Sequence, residues 1–314
     1  MMISIILNEW KILVRNRSIV YVSLIFMLSI ISVVWMGNLQ SKNQSQAQIA
    51  AEKHIRAQWD NLEPMNPHRA AHYGVYVFKP ISILNSLDDG VSSITGNVLK
   101  LEGHVQNEIV HSEASQSIAI SRFGKLKPST ILQYMVPLFL IFLSFGSISN
   151  DKETGRLKLI ALQGVSLEKL VLSKSLSIWL YGLILLIFSI LLQLLLGSSS
   201  ADFGTRIGFI LISYGLYYFI VVCLSTYISA SFKNNTSAIS LLLATWILWT
   251  IFLPKIWGNT AEKVHPLPSR QNFILQMKED RSKGIDGHNP TDERRSKLKE
   301  EYLVRYNGDS LSQL

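Results

Sequence analysis

Five stretches of the chain run for span length without a charged residue: Ser18–Ser41, Ser129–Asn150, Ser175–Ala201, Ile207–Phe232 and Asn234–Pro254. A helix needs about 20 apolar residues to cross roughly 30 Å of hydrocarbon. The pattern therefore predicts five transmembrane helices, near residues 19–38, 130–149, 175–197, 207–231 and 237–256. Five such windows in one chain argue against buried helices of a soluble protein. The expected fold class is an all-α polytopic membrane protein with an extracytoplasmic domain inserted after the first span.

Ahead of the first span the pattern changes. Ile3, Ile6, Leu7, Trp10, Leu13 and Val14 share one helical stripe, with Asn8, Lys11, Arg15 and Asn16 opposite. This predicts a cytoplasmic interfacial helix over residues 1–17, with Trp10 in its apolar face and Lys11 and Arg15 toward anionic lipid. A plain extension of the first span is the alternative. The apolar core that follows is span-length and has no small-x-small cleavage site after it, so it reads as an uncleaved anchor.

Charge sets the direction of the spans. Lys11, Arg15 and Arg17 precede the first span. Lys152, Arg156, Lys158, Lys169 and Lys174 lie between the second and third, and Lys233 between the fourth and fifth. The short loop after the third holds only Arg206, with Asp202. Basic short loops mark the cytoplasmic side, which puts the N-terminus there. The expected organisation is an interfacial helix at 1–17, transmembrane 1 at 18–41, an extracytoplasmic domain at 42–128 and transmembrane 2 at 129–149. A cytoplasmic segment at 150–174, transmembrane 3–5 at 175–256 and a second extracytoplasmic segment at 257–314 complete it.

Composition agrees. The chain is 48% hydrophobic and 17% charged, with mean hydropathy +0.24, where soluble domains carry about 25% charged residues. A net charge of +8 and a pI near 9.4 would suggest nucleic acid in a soluble protein. Here the basic residues are spread over loops, not gathered in one run with aromatics, and no nucleic acid is expected. The only cysteine, Cys223, excludes an intramolecular disulfide and a thiolate cluster and reads as a small apolar filler.

Residues 42–127 read as a small α/β or mainly helical domain. Lys42–Leu62 is helix-like and is stopped by Pro64 and Pro67. Tyr73–Phe78 is strand-like and is stopped by Pro80. Residues 96–120 suggest another helix. Among the histidines His54, His68, His72, His104 and His111, His68 and His72 have the four-residue spacing at which a helical pair shares one zinc or copper ion. But Pro67 precedes them, and no acidic or Cys ligand stands at metal-site spacing. Ordinary surface and packing histidines are the better account, and no metal is expected. The aromatic stretch Ala71–Pro80 fits partner docking and domain core equally well. In the last segment, Pro266 and Pro268 precede a charged run, and Asp292–Tyr306 reads as a helix with Thr291 as its N-cap.

The chain has no Gly-x-x-x-x-Gly-Lys-[Ser/Thr] loop, no His-Glu-x-x-His and no Gly-x-Ser-x-Gly. No catalytic residue and no cofactor are therefore expected. The five windows carry no Asp, Glu, Lys, Arg or His, groups that proton-driven carriers place inside the membrane. Energy is expected to enter from elsewhere.

Residues 150–166 begin charged and become amphipathic. This stretch resembles the cytoplasmic element of type-2 permeases of ABC transporters, in which acidic residues and a glycine follow the second span. Asp151, Glu153 and Gly155 match that pattern, and Leu157, Gly164 and Lys174 fit what usually follows. Asp151 stands where Glu is commoner, and Arg156 where Ser or Thr is. The insert, with Ala71-His-Tyr-Gly74 and Leu101–Asn107, resembles a bacterial branch of these permeases. Members of that branch are often labelled as multi-copper enzyme maturation permeases or as a domain of unknown function.

The resemblance implies that the N-terminal helix is an elbow helix. It implies that Asp151, Glu153, Gly155, Arg156 and Leu157 belong to a coupling helix that docks into a separate cytoplasmic ABC ATPase subunit. It also implies a homodimer or paired permease in the bacterial inner membrane, moving an unidentified substrate, outward by analogy. The alternative is ATPase-coupled mechanotransmission or signalling to extracytoplasmic partners. A membrane enzyme using the outer histidines is a third reading. The resembling permeases usually have six spans, so an odd count of five leads to the expectation of a missing return span beyond the second outer segment.

Overall fold

The computed structural model describes residues 2–103, 125–196, 203–283 and 293–306. The apolar runs fold as helices because, in hydrocarbon, a helix satisfies its backbone N–H and C=O groups within one segment. Among the described residues, five helices are long and apolar enough to cross a membrane: Arg17–Asp60, Pro128–Glu153, Leu167–Leu196, Gly204–Ser231 and Asn235–Val264, called spans 1 to 5 below. The chain is an all-α polytopic membrane protein, as the pattern predicts. The only sheet among the described residues has two strands.

Several boundaries differ from those expected. Asn16 separates the N-terminal helix Met2–Arg15 from span 1, so the two are not one extended helix. The Asn16 side chain accepts hydrogen bonds from the backbone N–H of Ser18 at 3.1 Å and of Ile19 at 3.4 Å. Span 1 does not stop near residue 38. It continues for 44 residues, about 66 Å at 1.5 Å per residue, roughly twice the hydrocarbon thickness. Its polar half is rich in Gln and Ala, good helix formers that give no signal to stop. Span 3 starts at Leu167 rather than near 175, because the charge of Lys174 is neutralised where it lies. Span 5 runs on to Val264.

The described chain forms two compact units, Met1–Ile247 and Leu248–Leu314. The second contains a π-helical turn, Leu248–Phe252, and the helices Leu253–Val264, Arg270–Lys283 and Glu293–Tyr306. The last agrees with the sequence pattern, and Arg270–Lys283 was not expected. The proposed Thr291 cap lies outside the described residues.

In the first unit span 2 is central. Its Leu132, Val136 and Leu140 are fully buried, and it packs on spans 3, 4 and 5, while span 1 packs on span 3. Ile30, Val33 and Val34 of span 1, Leu185 and Leu186 of span 3, and Tyr218 and Val222 of span 4 complete the core. A smaller cluster of Ile141, Ile228, Ala238 and Leu242 joins spans 2, 4 and 5. Leu24, Ile25, Leu28, Phe209 and Ile212 point outward, as lipid-facing side chains do.

Span 2 carries a backbone irregularity that span 4 repairs. Pro137 has no N–H, so carbonyls one turn earlier lose a donor, and Ile131–Met135 winds as a π-helix. The Tyr218 hydroxyl donates to the Leu132 carbonyl at 2.8 Å, and the Tyr217 hydroxyl to the Gln133 carbonyl at 3.2 Å. A buried carbonyl left unpaired costs roughly 1–3 kcal/mol. Tyr218→Phe is expected to destabilise the purified protein by about that much, measured by thermal unfolding, and Tyr217→Phe by less, its bond being longer. Pro137→Ala restores an N–H toward Gln133 and is expected to reduce the Tyr217→Phe loss in a double-mutant cycle.

After span 1 the chain forms a short helix, Pro67–Tyr73, then strand β1 (Val75–Phe78), which pairs antiparallel with β2 (Val98–Leu101) in the register Val75↔Leu101 and Phe78↔Val98. Residues 98–101 are thus strand, not part of the helix expected over 96–120. The β-branched Val98 and the available partner strand favour the pleated form. Residues 104–120 of that expected helix lie outside the described residues. The loop after β1 returns to the bundle. The buried Lys127 ammonium meets Asp89 at 3.0 Å and donates to the Asn85 carbonyl at 2.8 Å, and Asn85 donates to Gln44 at 2.9 Å. Gln193 of span 3 donates to Ser86. A Cβ on Gly37 would stand 2.3 Å from the Ser86 carbonyl oxygen, so only glycine admits this approach.

Candidate functional site

Span 2 does not run smoothly into span 3. It breaks at a turn over residues 145–148, resumes as Ser149–Glu153, and gives way to the separate helix Arg156–Leu162. Gly155 (φ 75°) and Gly164 (φ 81°) bracket that helix in the left-handed region, which costs another residue about 1–2 kcal/mol. No atom lies within 4 Å of a Cβ built on either. The demand for glycine is therefore conformational, not steric. The two glycines set the seven-residue helix off from both spans.

The roots of this element are fastened to the bundle. The backbone N–H groups of Ile148 and Ser149 both donate to the Ser229 hydroxyl at 3.1 Å. The Ser149 hydroxyl donates to Asn235, and Lys152 to the carbonyl of Ala230 at the end of span 4. The hydroxyls of Ser175 and Thr226 pair at 2.9 Å. Spans 2, 3, 4 and 5 thus share polar bonds at this end.

One ammonium joins three segments. Lys174, inside span 3, lies 2.9 Å from Glu9 on the N-terminal helix and 2.9 Å from Asp151 after span 2. Arg156 reaches the other Asp151 oxygen at 3.0 Å. The side chains of Asp151 and Lys174 are each only 7% exposed. Two carboxylates around one lysine explain why a charge tolerates that burial. Sequence reasoning found Asp151 and Lys174 as motif members but not their contact, and it missed Glu9. The available signal was that Glu9 is the one acidic residue in the first 17.

The residues named for ATPase coupling therefore divide. Asp151 is buried and offers no surface. Glu153 and Arg156 are exposed, and Gly155 and Leu157 are half-buried. The same helix exposes Leu159 (61%) and Leu162 (84%), which sequence reasoning did not single out. On the N-terminal helix the apolar stripe also divides. Ile6, Trp10 and Leu13 are half-buried, with the Trp10 ring 6.1 Å from Tyr181 of span 3. Ile3, Leu7 and Val14 remain open, as do Lys11 and Arg15.

Five apolar spans, with a short helix slung on glycines between the second and third, define a multi-pass membrane protein. The chain belongs to the ABC-2 family of transporter proteins, whose model matches residues 67–257. It is a membrane permease component of an ABC transporter. No curated protein matches the chain.

Proposed function

We propose that this permease works as an exporter powered by a separate ABC ATPase, which docks on residues 149–162. The carrying observation is the helix Arg156–Leu162. It exposes Leu159 and Leu162, and Glu153 and Arg156 are exposed at its start, so the element offers both the apolar and the charged side chains that protein interfaces use. Asp151, tied to Lys174, keeps the base of that surface in place. The surrounding Lys and Arg support a reading in which this end faces the cytoplasm, with the N-terminus, and the insert lies outside. The open Ile3, Leu7 and Val14, with Lys11 and Arg15, suit an elbow helix lying on lipid. Two permeases pair around a shared pathway in the bacterial inner membrane, and the insert allies the chain with the branch that carries a large outer domain.

The test is co-expression with a candidate ABC ATPase subunit. The two are expected to co-purify, and Glu153→Lys is expected to lower both complex yield and stimulated ATP hydrolysis. Unchanged binding and stimulation in that variant would remove the docking role.

The unbroken helix Arg17–Asp60 favours a second reading, in which the ATPase drives mechanical signalling to outer partners and no substrate crosses. One stiff element connects the two ends of the bundle. ATP-dependent cargo movement in reconstituted vesicles would count against it.

A further inference from the structure

Two histidines beyond the far end of span 1 stand in a geometry with chemistry of its own. His68 and His72 occupy the helix Pro67–Tyr73 and face each other through their Nε2 atoms, 3.2 Å apart. Both residues are exposed. The rings are steeply inclined, at 75° with centroids 4.6 Å apart, so they meet at nitrogen and do not stack.

The helix that sets this spacing is held at both ends. Pro67 occupies its first turn, and the Asn66 side chain accepts from the Arg69 N–H at 2.8 Å. At the other end Gly74 turns with φ 74°, where a Cβ would stand 2.9 Å from the Leu101 carbonyl oxygen. The Gly103 N–H donates to the Ala71 carbonyl at 2.7 Å. The strand pair therefore buttresses the turn that bears His72.

Two imidazole nitrogens bound to one metal at about 2.0–2.1 Å, with a tetrahedral angle between them, lie about 3.3 Å apart. The observed separation already meets that requirement without a backbone shift. We propose that His68 and His72 form a two-histidine site for a divalent transition cation of the class that prefers imidazole, such as zinc, copper(II) or nickel. Among the described residues no group of three or more His, Cys, Asp or Glu could hold a metal. This inference is independent of the transport reading.

Zinc is the probe. The full chain, purified with a tag free of histidine, is titrated with zinc chloride by calorimetry. One binding event is expected, weakened at least tenfold by His68→Ala and by His72→Ala. Unchanged zinc affinity in both variants overturns the proposal. Where either variant also lowers the melting temperature without zinc, the combination Arg69→His with His72→Ala decides. It keeps the histidine count but places the pair at adjacent positions, which do not face each other. Loss of zinc there at an unchanged melting temperature supports the site, and retained affinity overturns it.

Discussion

Lys174→Met is expected to destabilise the protein more than any other single substitution at this site, by about 3–5 kcal/mol. The reason is electrostatic. The variant leaves the Glu9 and Asp151 carboxylates in one poorly solvated place with the shared cation gone, and only Arg156, at the exposed edge, still meets Asp151. Thermal unfolding in detergent, followed by tryptophan fluorescence, reads the loss. A triple variant separates charge from packing. Lys174→Met with Glu9→Gln and Asp151→Asn removes every buried charge of the set, and neutral replacements of buried ion pairs are often no less stable than the pairs. Most of the loss should therefore return. A triple variant as unstable as the single one would assign the effect to the packed stem of the lysine. An unchanged melting temperature in Lys174→Met would leave the network without a stabilising role. Glu9→Gln alone should be milder, since Lys174 keeps Asp151.

That network also shows where reading the chain as text reaches its limit. The spans were legible because hydrocarbon imposes a crude demand, some 20 residues without charge, and local composition answers it. The N-terminal helix was legible from its stripe, and the break at Asn16 follows from a side chain that prefers capping to helix interior. Ends set by tertiary contacts were not legible. Lys169 and Lys174 read as loop because charges normally close a span, yet the helix begins at Leu167. Only the distant partners Glu9 and Asp151 make the inward lysine tolerable. Val98–Leu101 read as helix until β1 was there to pair with it. The Tyr218–Leu132 bond could not be seen either. The proline signals a lost donor, but nothing local says which span replaces it. Within the candidate site, glycine and acidic positions drew attention to residues 151–157 in sequence, while the sorting of Asp151 inward and Leu159 and Leu162 outward depends on how Gly155 turns the chain.

Leu159→Ser combined with Leu162→Ser is expected to leave the permease folded and to abolish its capture of the ATPase. The two effects separate because the leucines are open in the chain alone. Surface substitutions away from caps and networks change stability by no more than about 0.5 kcal/mol, so the melting temperature should hold. At an interface the same side chains become buried, and each is worth roughly 1.5–3 kcal/mol. Losing both should weaken binding by about 100-fold or more. Glu153→Lys should behave differently. A rim charge acts mainly on the association rate and its salt dependence, so its effect should shrink as ionic strength rises, while the leucine effect persists. Measuring association and dissociation by biolayer interferometry at low and high salt distinguishes the two. Undiminished ATPase binding in the double leucine variant would move the docking surface off this helix. A fall in melting temperature would mean that the leucines are already covered within the permease, by lipid or by its paired copy, and that the helix Arg156–Leu162 is built into the assembly rather than presented by it.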